Sequence, residues 1–166
     1  QGSDVTRNPQ PTLWFYIPYS RESIQRLQFV LWDERERDLL LESPVAWSGE
    51  PGFWGITLPE SLELESGQLY RWYFQVACTG NDSPEFDLSV NGWMQFWQGD
   101  SARADMTVLD LIAAGDWYDA IDLVVRSYAR DPEAYQEQWL SVLDQLEAND
   151  LPIGLIGEPI RLDESR

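Results

Sequence analysis

The chain contains no histidine, and its eleven basic residues are all arginine, so lysine is absent as well. Without histidine the usual general base near neutral pH is missing, and with it every Ser-His and Cys-His pair. Without lysine, Schiff-base and Ser-Lys chemistry are excluded. Cys78 is the sole cysteine. It can make no internal disulfide, it leaves the redox compartment undecided, and with no basic neighbour in sequence it reads as a buried, inert thiol. Zinc sites need histidine or several cysteines, which rules them out. No Gly-rich phosphate loop is present, and no run approaches the roughly 18 apolar residues that span a bilayer.

What is abundant is acid and aromatic surface. There are 29 acidic residues, the net charge is −18, and nine Trp, seven Tyr and six Phe are spread over 166 residues. Such a surface repels phosphate backbones and anionic bilayers, so neither nucleic acid nor membrane insertion is expected. A basic protein, a metal cation or a neutral glycan remains open as a partner, and the plainer alternative is that the charge maintains solubility. Paired carboxylates are the one surviving catalytic route, with Glu63/Glu65 and Asp82/Glu85 as candidates, although pairs of this kind arise by chance among so many acids. Oxygen-rich stretches at Thr79–Ser83 and at Asp116, Asp119 and Asp122 are conceivable calcium ligands, but neither has EF-hand spacing. No cofactor and no metal site are therefore expected.

Residues 10–98 read as strands. Thr12–Pro18 is apolar on both faces, as in a central strand. Leu27, Phe29 and Leu31 alternate with polar or outward positions. The charged run Asp33–Asp38 then turns the chain into Leu39–Leu41 as a hairpin. Phe53–Leu58 follows a Gly/Pro loop. Leu69–Cys78 alternates, with Tyr70, Trp72, Phe74, Val76 and Cys78 on one face. Phe86–Trp97 resumes strand character around Asn91-Gly92, which reads either as a hairpin turn or as a bulge. With no helices between them, these strands predict an immunoglobulin- or fibronectin-like antiparallel β-sandwich.

Beyond Gly99-Asp100-Ser101 the period changes to that of helices. Residues 101–148 predict a C-terminal helical hairpin of about three helices. Gly115 closes the first, Asp116 caps the second, and Asp131-Pro132 starts the third. The expected seam holds Trp117, Ile121, Val124, Tyr128, Trp139 and Leu143, with Tyr135, Val142 and Leu146 on the same apolar stripe of the last helix. Asp119, Asp122, Glu133, Glu137 and Asp144 form an acidic outer face. Residues 149–166 predict an extended tail.

Two groups of residues stand out within this frame. Leu64, Gly67 and Tyr70 have the spacing of a tyrosine corner, in which a Tyr hydroxyl bonds backbone a few residues upstream. Most tryptophans belong in a core. Trp14 and Tyr16, however, lie opposite Leu13, Phe15 and Ile17, while Trp93 and Trp97 share a face with Gln95 between them. These four rings are the candidate ligand-stacking residues.

Gly115-x-Trp117-Tyr118-x-Ala120, with Pro132 closing the pattern, is similar to the second half of a tetratricopeptide repeat. It departs from that pattern at Ser127, and about one and a half repeats would fit where a solenoid needs three or more. The longer span from Thr12 to Leu146 resembles a bacterial, chiefly cyanobacterial, family, the domain of unknown function 928. The residues that carry the resemblance are Leu13–Tyr19, Phe29–Asp33, Leu58-Pro59, Gly67–Phe74, Val90–Trp93 and Trp117–Ala120. The resemblance implies a secreted or periplasmic setting and no assigned activity. Gln1-Gly2-Ser3 has the look of a tag-cleavage remnant, which fits a signal peptide already removed. The combined expectation is a non-catalytic extracytoplasmic binding or scaffold module that engages an unidentified protein partner, with a basic one favoured by the charge. The alternatives are a carbohydrate-binding module using exposed Trp and Tyr, and a carboxylate hydrolase.

Overall fold

The computed structural model describes residues 4–98, 106–145 and 156–162. The break at Gly99–Ser101, Leu146 and the stretch 149–155 lie outside them. The element order is β1 (Asp4–Thr6), β2 (Thr12–Ile17), a 3-10 turn (Arg21–Ser23), β3 (Ile24–Asp33), β4 (Leu39–Pro44), β5 (Gly52–Thr57), β6 (Leu69–Cys78) and β7 (Leu88–Phe96). Then come α1 (Val108–Ala113), α2 (Trp117–Arg130), α3 (Pro132–Gln145) and β8 (Ile160–Arg161).

The strands form two sheets, one ordered β1-β7-β6-β3-β4 and the other β2-β5-β8. The interior pairings, β3/β4, β3/β6, β6/β7 and β2/β5, are antiparallel. Both sheets are nevertheless mixed, which corrects the all-antiparallel expectation. The two short strands near the chain ends, β1 and β8, each add in parallel at one edge, to β7 and β5 respectively. A three-residue and a two-residue strand are too short to show alternation, so neither announces itself in sequence.

The first core lies between the sheets. Leu27, Phe29 and Leu31 of β3, Tyr70, Phe74 and Val76 of β6, and Met94 and Phe96 of β7 meet Leu13 and Ile17 of β2 and Trp54 and Ile56 of β5. A second core covers the opposite face of the small sheet. Phe53 packs there with Val124 and Val125 of α2 and with Trp139, Val142 and Leu143 of α3, and Trp14 and Tyr16 border the same cluster. Trp139 meets the Phe53 ring edge-on, at 5.2 Å between centroids.

The helices are therefore a third layer rather than an appendage, and all six residues of β5 are buried. This also corrects the reading of β2 as a central strand. β2 lies at the edge of its sheet, and both its faces are apolar because one meets the large sheet and the other meets the helices.

Local signals explain the helix boundaries. Thr107 and Asp110 make a reciprocal capping box at the start of α1. Gly115, at φ +86°, closes α1 in a left-handed turn. There its N–H donates to the Ile112 carbonyl and that of Asp116 to Leu111, the paired bonds of a Schellman end. Pro132 opens α3 at the position where its missing N–H is harmless. Of the expected seam, Val124, Trp139 and Leu143 are buried, whereas Trp117, Ile121 and Tyr128 are half-buried. Ala120, Val125, Ser127 and Val142 are buried as well, because α2 packs on β1 and β2 in addition to its neighbouring helices.

Packing onto the sheet also reorients three acids. Asp119 does not face solvent. It accepts from the Thr6 hydroxyl (2.6 Å) and from the Arg7 backbone N–H (2.8 Å). Asp122 accepts from the Trp14 indole (2.8 Å) and from Arg126 (2.7 Å), which also reaches the Thr12 hydroxyl. Asp116, fully buried at the start of α2, faces Arg7 at 3.3 Å. Glu133, Glu137 and Asp144 remain on the outer face.

These bonds predict coupling between helices and sheets. Asp119→Ala removes two hydrogen bonds to a charged acceptor and should cost about 1.5–3 kcal/mol. Urea unfolding followed by Trp fluorescence should show one transition, moved to lower urea. Two transitions, with the sheet transition unmoved, would contradict the shared-layer architecture.

Candidate functional site

The tyrosine corner is a positioning element. Gly67 holds φ +88°, and Tyr70 is buried with its hydroxyl accepting from the Glu65 backbone N–H at 2.8 Å. Burial pushes the phenol pKa up, so the hydroxyl stays protonated. Leu64 packs against the first core just upstream. The corner fixes the start of β6 and, through it, the row of core-facing side chains Tyr70, Trp72, Phe74 and Val76. The alternation ends there. A register shift between Ile24 and Arg26 buries Ala77 and leaves Cys78 half-buried rather than in the core.

Asn91-Gly92 is neither a hairpin turn nor a bulge. β7 runs through it in regular register with β6, from Leu69↔Gln95 to Val76↔Leu88. Gly92 is opposite Trp72, and a Cβ there would lie 2.6 Å from the indole, so glycine makes room for the ring. The Trp72 N–H donates to the Tyr118 hydroxyl (2.8 Å), which in turn donates to the Trp93 carbonyl (2.8 Å). Tyr118 of α2 thus plugs the seam between the two sheets beside Trp72 and Phe15.

Beyond that plug the seam is open. In the β6/β7 register Leu88 is opposite Val76 and Val90 is opposite Phe74, so both share the face of the buried core residues. Yet Leu88 is 43% and Val90 53% exposed, because nothing from the small sheet reaches over them. Together with Phe15, Ile17, Tyr19, Phe74 and Val76 they line a groove of about 450 Å³ between β7 and β2 that holds no charged side chain. That volume is in the range of ligand sites, and its apolar lining is their usual character.

The four candidate rings separate. Trp14 and Tyr16 are half-buried against the helices, yet both border this groove. Trp93 lies on the outer face of the large sheet, half-buried, with the Arg71 guanidinium 4.6 Å from its ring. Trp97 is 42% exposed beside Gly67. Glu63, Glu65, Asp82 and Glu85 are all exposed. In the Thr79–Asp87 loop, the Asn81 side-chain Oδ1 accepts from the Ser83 backbone N–H, and the Thr79 hydroxyl donates to the Glu22 carbonyl. Among the described residues, no group of three or more His, Cys, Asp or Glu could hold a metal ion. Sequence reasoning missed Leu88 and Val90. The register with β6 identifies them, and the start of a strand that runs into Asn-Gly does not reveal that register.

The model of the family described as Domain of Unknown Function (DUF928) matches residues 1–153, and the chain belongs to that family. No curated protein and no solved structure matches it.

Two outcomes follow from this geometry. Tyr70→Phe should lose about 0.5–1.5 kcal/mol, the value of one hydrogen bond, with the far-UV spectrum unchanged. An unaltered denaturation midpoint would mean the corner bond contributes nothing. The second concerns Asp87, whose carboxylate accepts from the Cys78 N–H and the Asn81 amide, and these bonds hold its pKa below the ordinary 3.8. A depressed acid stabilises above its unfolded pKa and loses that contribution as pH falls through the folded one. The protection of the Cys78 amide, its exchange rate compared with the intrinsic rate at the same pH, should therefore fall only as pH drops below 3.8, and equal protection in Asp87→Asn at neutral pH would show that the charge is not involved.

Proposed function

We propose that this member of the DUF928 family is a non-catalytic binding or scaffold module that holds a protein partner through the groove between β2 and β7. The observation that carries the reading is the exposure of Leu88 and Val90 on the core-facing side of β7. An uncovered apolar patch continuous with a core is a surface that another molecule covers. The setting is extracytoplasmic, secreted or periplasmic, in a bacterium and chiefly in cyanobacteria. That part is supported by the family likeness alone. The immunoglobulin-like character of the sandwich is supported by the Tyr70 corner bond, and the tetratricopeptide-like character of α2 and α3 by the Gly115, Ala120 and Pro132 spacing. The partner is basic, or at least not acidic, because the chain carries a net charge of −18.

A second reading is carbohydrate binding on the outer face of the large sheet. It is favoured by Trp32, Tyr73 and Trp93, which belong to neither core, and by Trp97 at the rim. The Arg71 guanidinium already lies over the Trp93 and Tyr73 rings, which leaves less aromatic face for a sugar. The protein-binding reading is therefore preferred. Carboxylate hydrolysis has the least support, since its candidate acids lie exposed on loops.

Selection of displayed random peptides against the chain should enrich extended apolar sequences with basic flanks. Their affinity should fall as salt rises and drop by about tenfold or more in Val90→Arg. Because Val90 is exposed, that substitution should shift stability by no more than about 0.5 kcal/mol. A selection that enriches nothing, or peptides indifferent to Val90→Arg, would overturn the proposal.

A further inference from the structure

We infer that the groove takes its partner by strand addition: an extended segment pairs with the free edge of β2 and continues the small sheet over Leu88 and Val90. This rests on the protein-binding reading and deepens it by naming how the partner is held.

The register fixes which backbone groups are available. The Leu58 N–H donates to the Pro11 carbonyl at 3.1 Å, one residue beyond the pair Thr12↔Thr57. In an antiparallel ladder the bonded pairs alternate, so Leu13, Phe15 and Ile17 exchange their bonds with β5. The N–H and C=O of Thr12, Trp14 and Tyr16 point to the other side. The far side of β5 agrees with this phase. Phe53 and Thr57, opposite Tyr16 and Thr12, direct their carbonyls to Gly157 and Leu162 on the β8 side. Among the described residues, β2 pairs with no strand but β5. Its outward edge is therefore a row of unpaired donors and acceptors beside an apolar groove.

The chemistry of the occupant follows. A strand laid along this edge alternates its side chains. Every second one falls on Leu88, Val90 and Phe74, and must be apolar. The adjoining groove residues carry no charge, but Asp87 directly precedes Leu88 and Glu22 follows Tyr19 closely in the chain, so basic residues suit the segment's flanks. Pro18 has no N–H and ends the pairing edge one residue past Ile17, so the recognised segment is short. A second copy of this chain would bring another −18 charges and is disfavoured.

The test uses the full chain, isotopically labelled, and a synthetic peptide in which Val alternates with Thr between paired terminal arginines. Two further versions are N-methylated at every second amide, in the two possible phases. The expected result is binding that slows exchange of the Trp14 and Tyr16 amides by about tenfold or more while leaving Leu13 and Phe15 unchanged. One methylated phase should bind and the other should not. Binding that ignores both methylation phases and protects no β2 amide would overturn strand addition while leaving the protein-binding reading intact. Failure of the peptide to bind at all, together with no effect of Val90→Arg on any displayed peptide, would remove both. Sedimentation showing a dimer lost in Val90→Arg would make a second copy the occupant and overturn the inference. Dodecanoate shifting the same groove resonances where the peptide does not would overturn it in favour of a small amphiphile.

Discussion

The small sheet β2-β5-β8 is apolar on both faces, and the rest of the architecture follows from the need to cover it twice. Three strands cannot hide Trp54 and Ile56 on one side and Phe53 on the other by themselves. Each large side chain fully removed from water contributes about 1.5–3 kcal/mol. That gain favours a five-stranded sheet on one face and a pair of helices on the other. The helices carry many acids, and those facing the sheet need partners, since a buried carboxylate without them is costly. Thr6, Arg7 and the Trp14 indole fill that role. The N-terminal strand, the edge of the small sheet and the start of α2 are consequently held by one set of charge-assisted bonds.

Those bonds also determine where the fold stops being closed. Asp116, just before α2, and Asp119 and Asp122 within it anchor its first half over β1 and β2. Tyr118, on the same turn, reaches the seam and bonds both Trp72 and Trp93. α2 can fill the seam only where its own side chains reach. Farther along, toward Ile17 and Leu88, no helix of the described residues lines the gap, and the groove is what remains. The opening is thus a consequence of how the helical layer is anchored, in contrast to a defect in strand pairing, since β6 and β7 stay in register along the whole groove.

Much of this was legible in the residues. The β3/β4 hairpin around Asp33–Asp38, the long β6 strand, the Tyr70 corner spacing and the caps at Gly115 and Pro132 all carry local chemistry that a reader of the sequence can recognise. What was not legible depends on contacts between distant segments. Asp119 looks like a solvent-facing helix acid, and only the arrival of Thr6 and Arg7, 112 or more positions away, turns it inward. The doubly apolar pattern of Thr12–Ile17 was visible, but burial between layers and burial between neighbouring strands leave the same signature. Asn91-Gly92 reads as a turn or a bulge, because both commonly use this dipeptide's glycine. Its real constraint is the Trp72 ring across the sheet. Leu88 and Val90 are ordinary strand residues until the register shows that they face a core that does not extend to them.

An open strand edge beside an apolar groove is a hazard, since such edges pair with one another and aggregate. Two features of the chain reduce it. Pro11 and Pro18 bracket β2, so no long pairing surface is offered. The remainder of the surface is of one sign, and a self-paired dimer would have to bring two charges of −18 together across a short contact. The same charge has no such effect on a neutral or basic segment, and it draws a basic one in. Under the proposed protein-binding reading, charge excess and open edge fit one explanation: the acids keep identical edges apart and leave the groove to a partner of different charge. A neutral surface around the same groove would select far less sharply between self and partner.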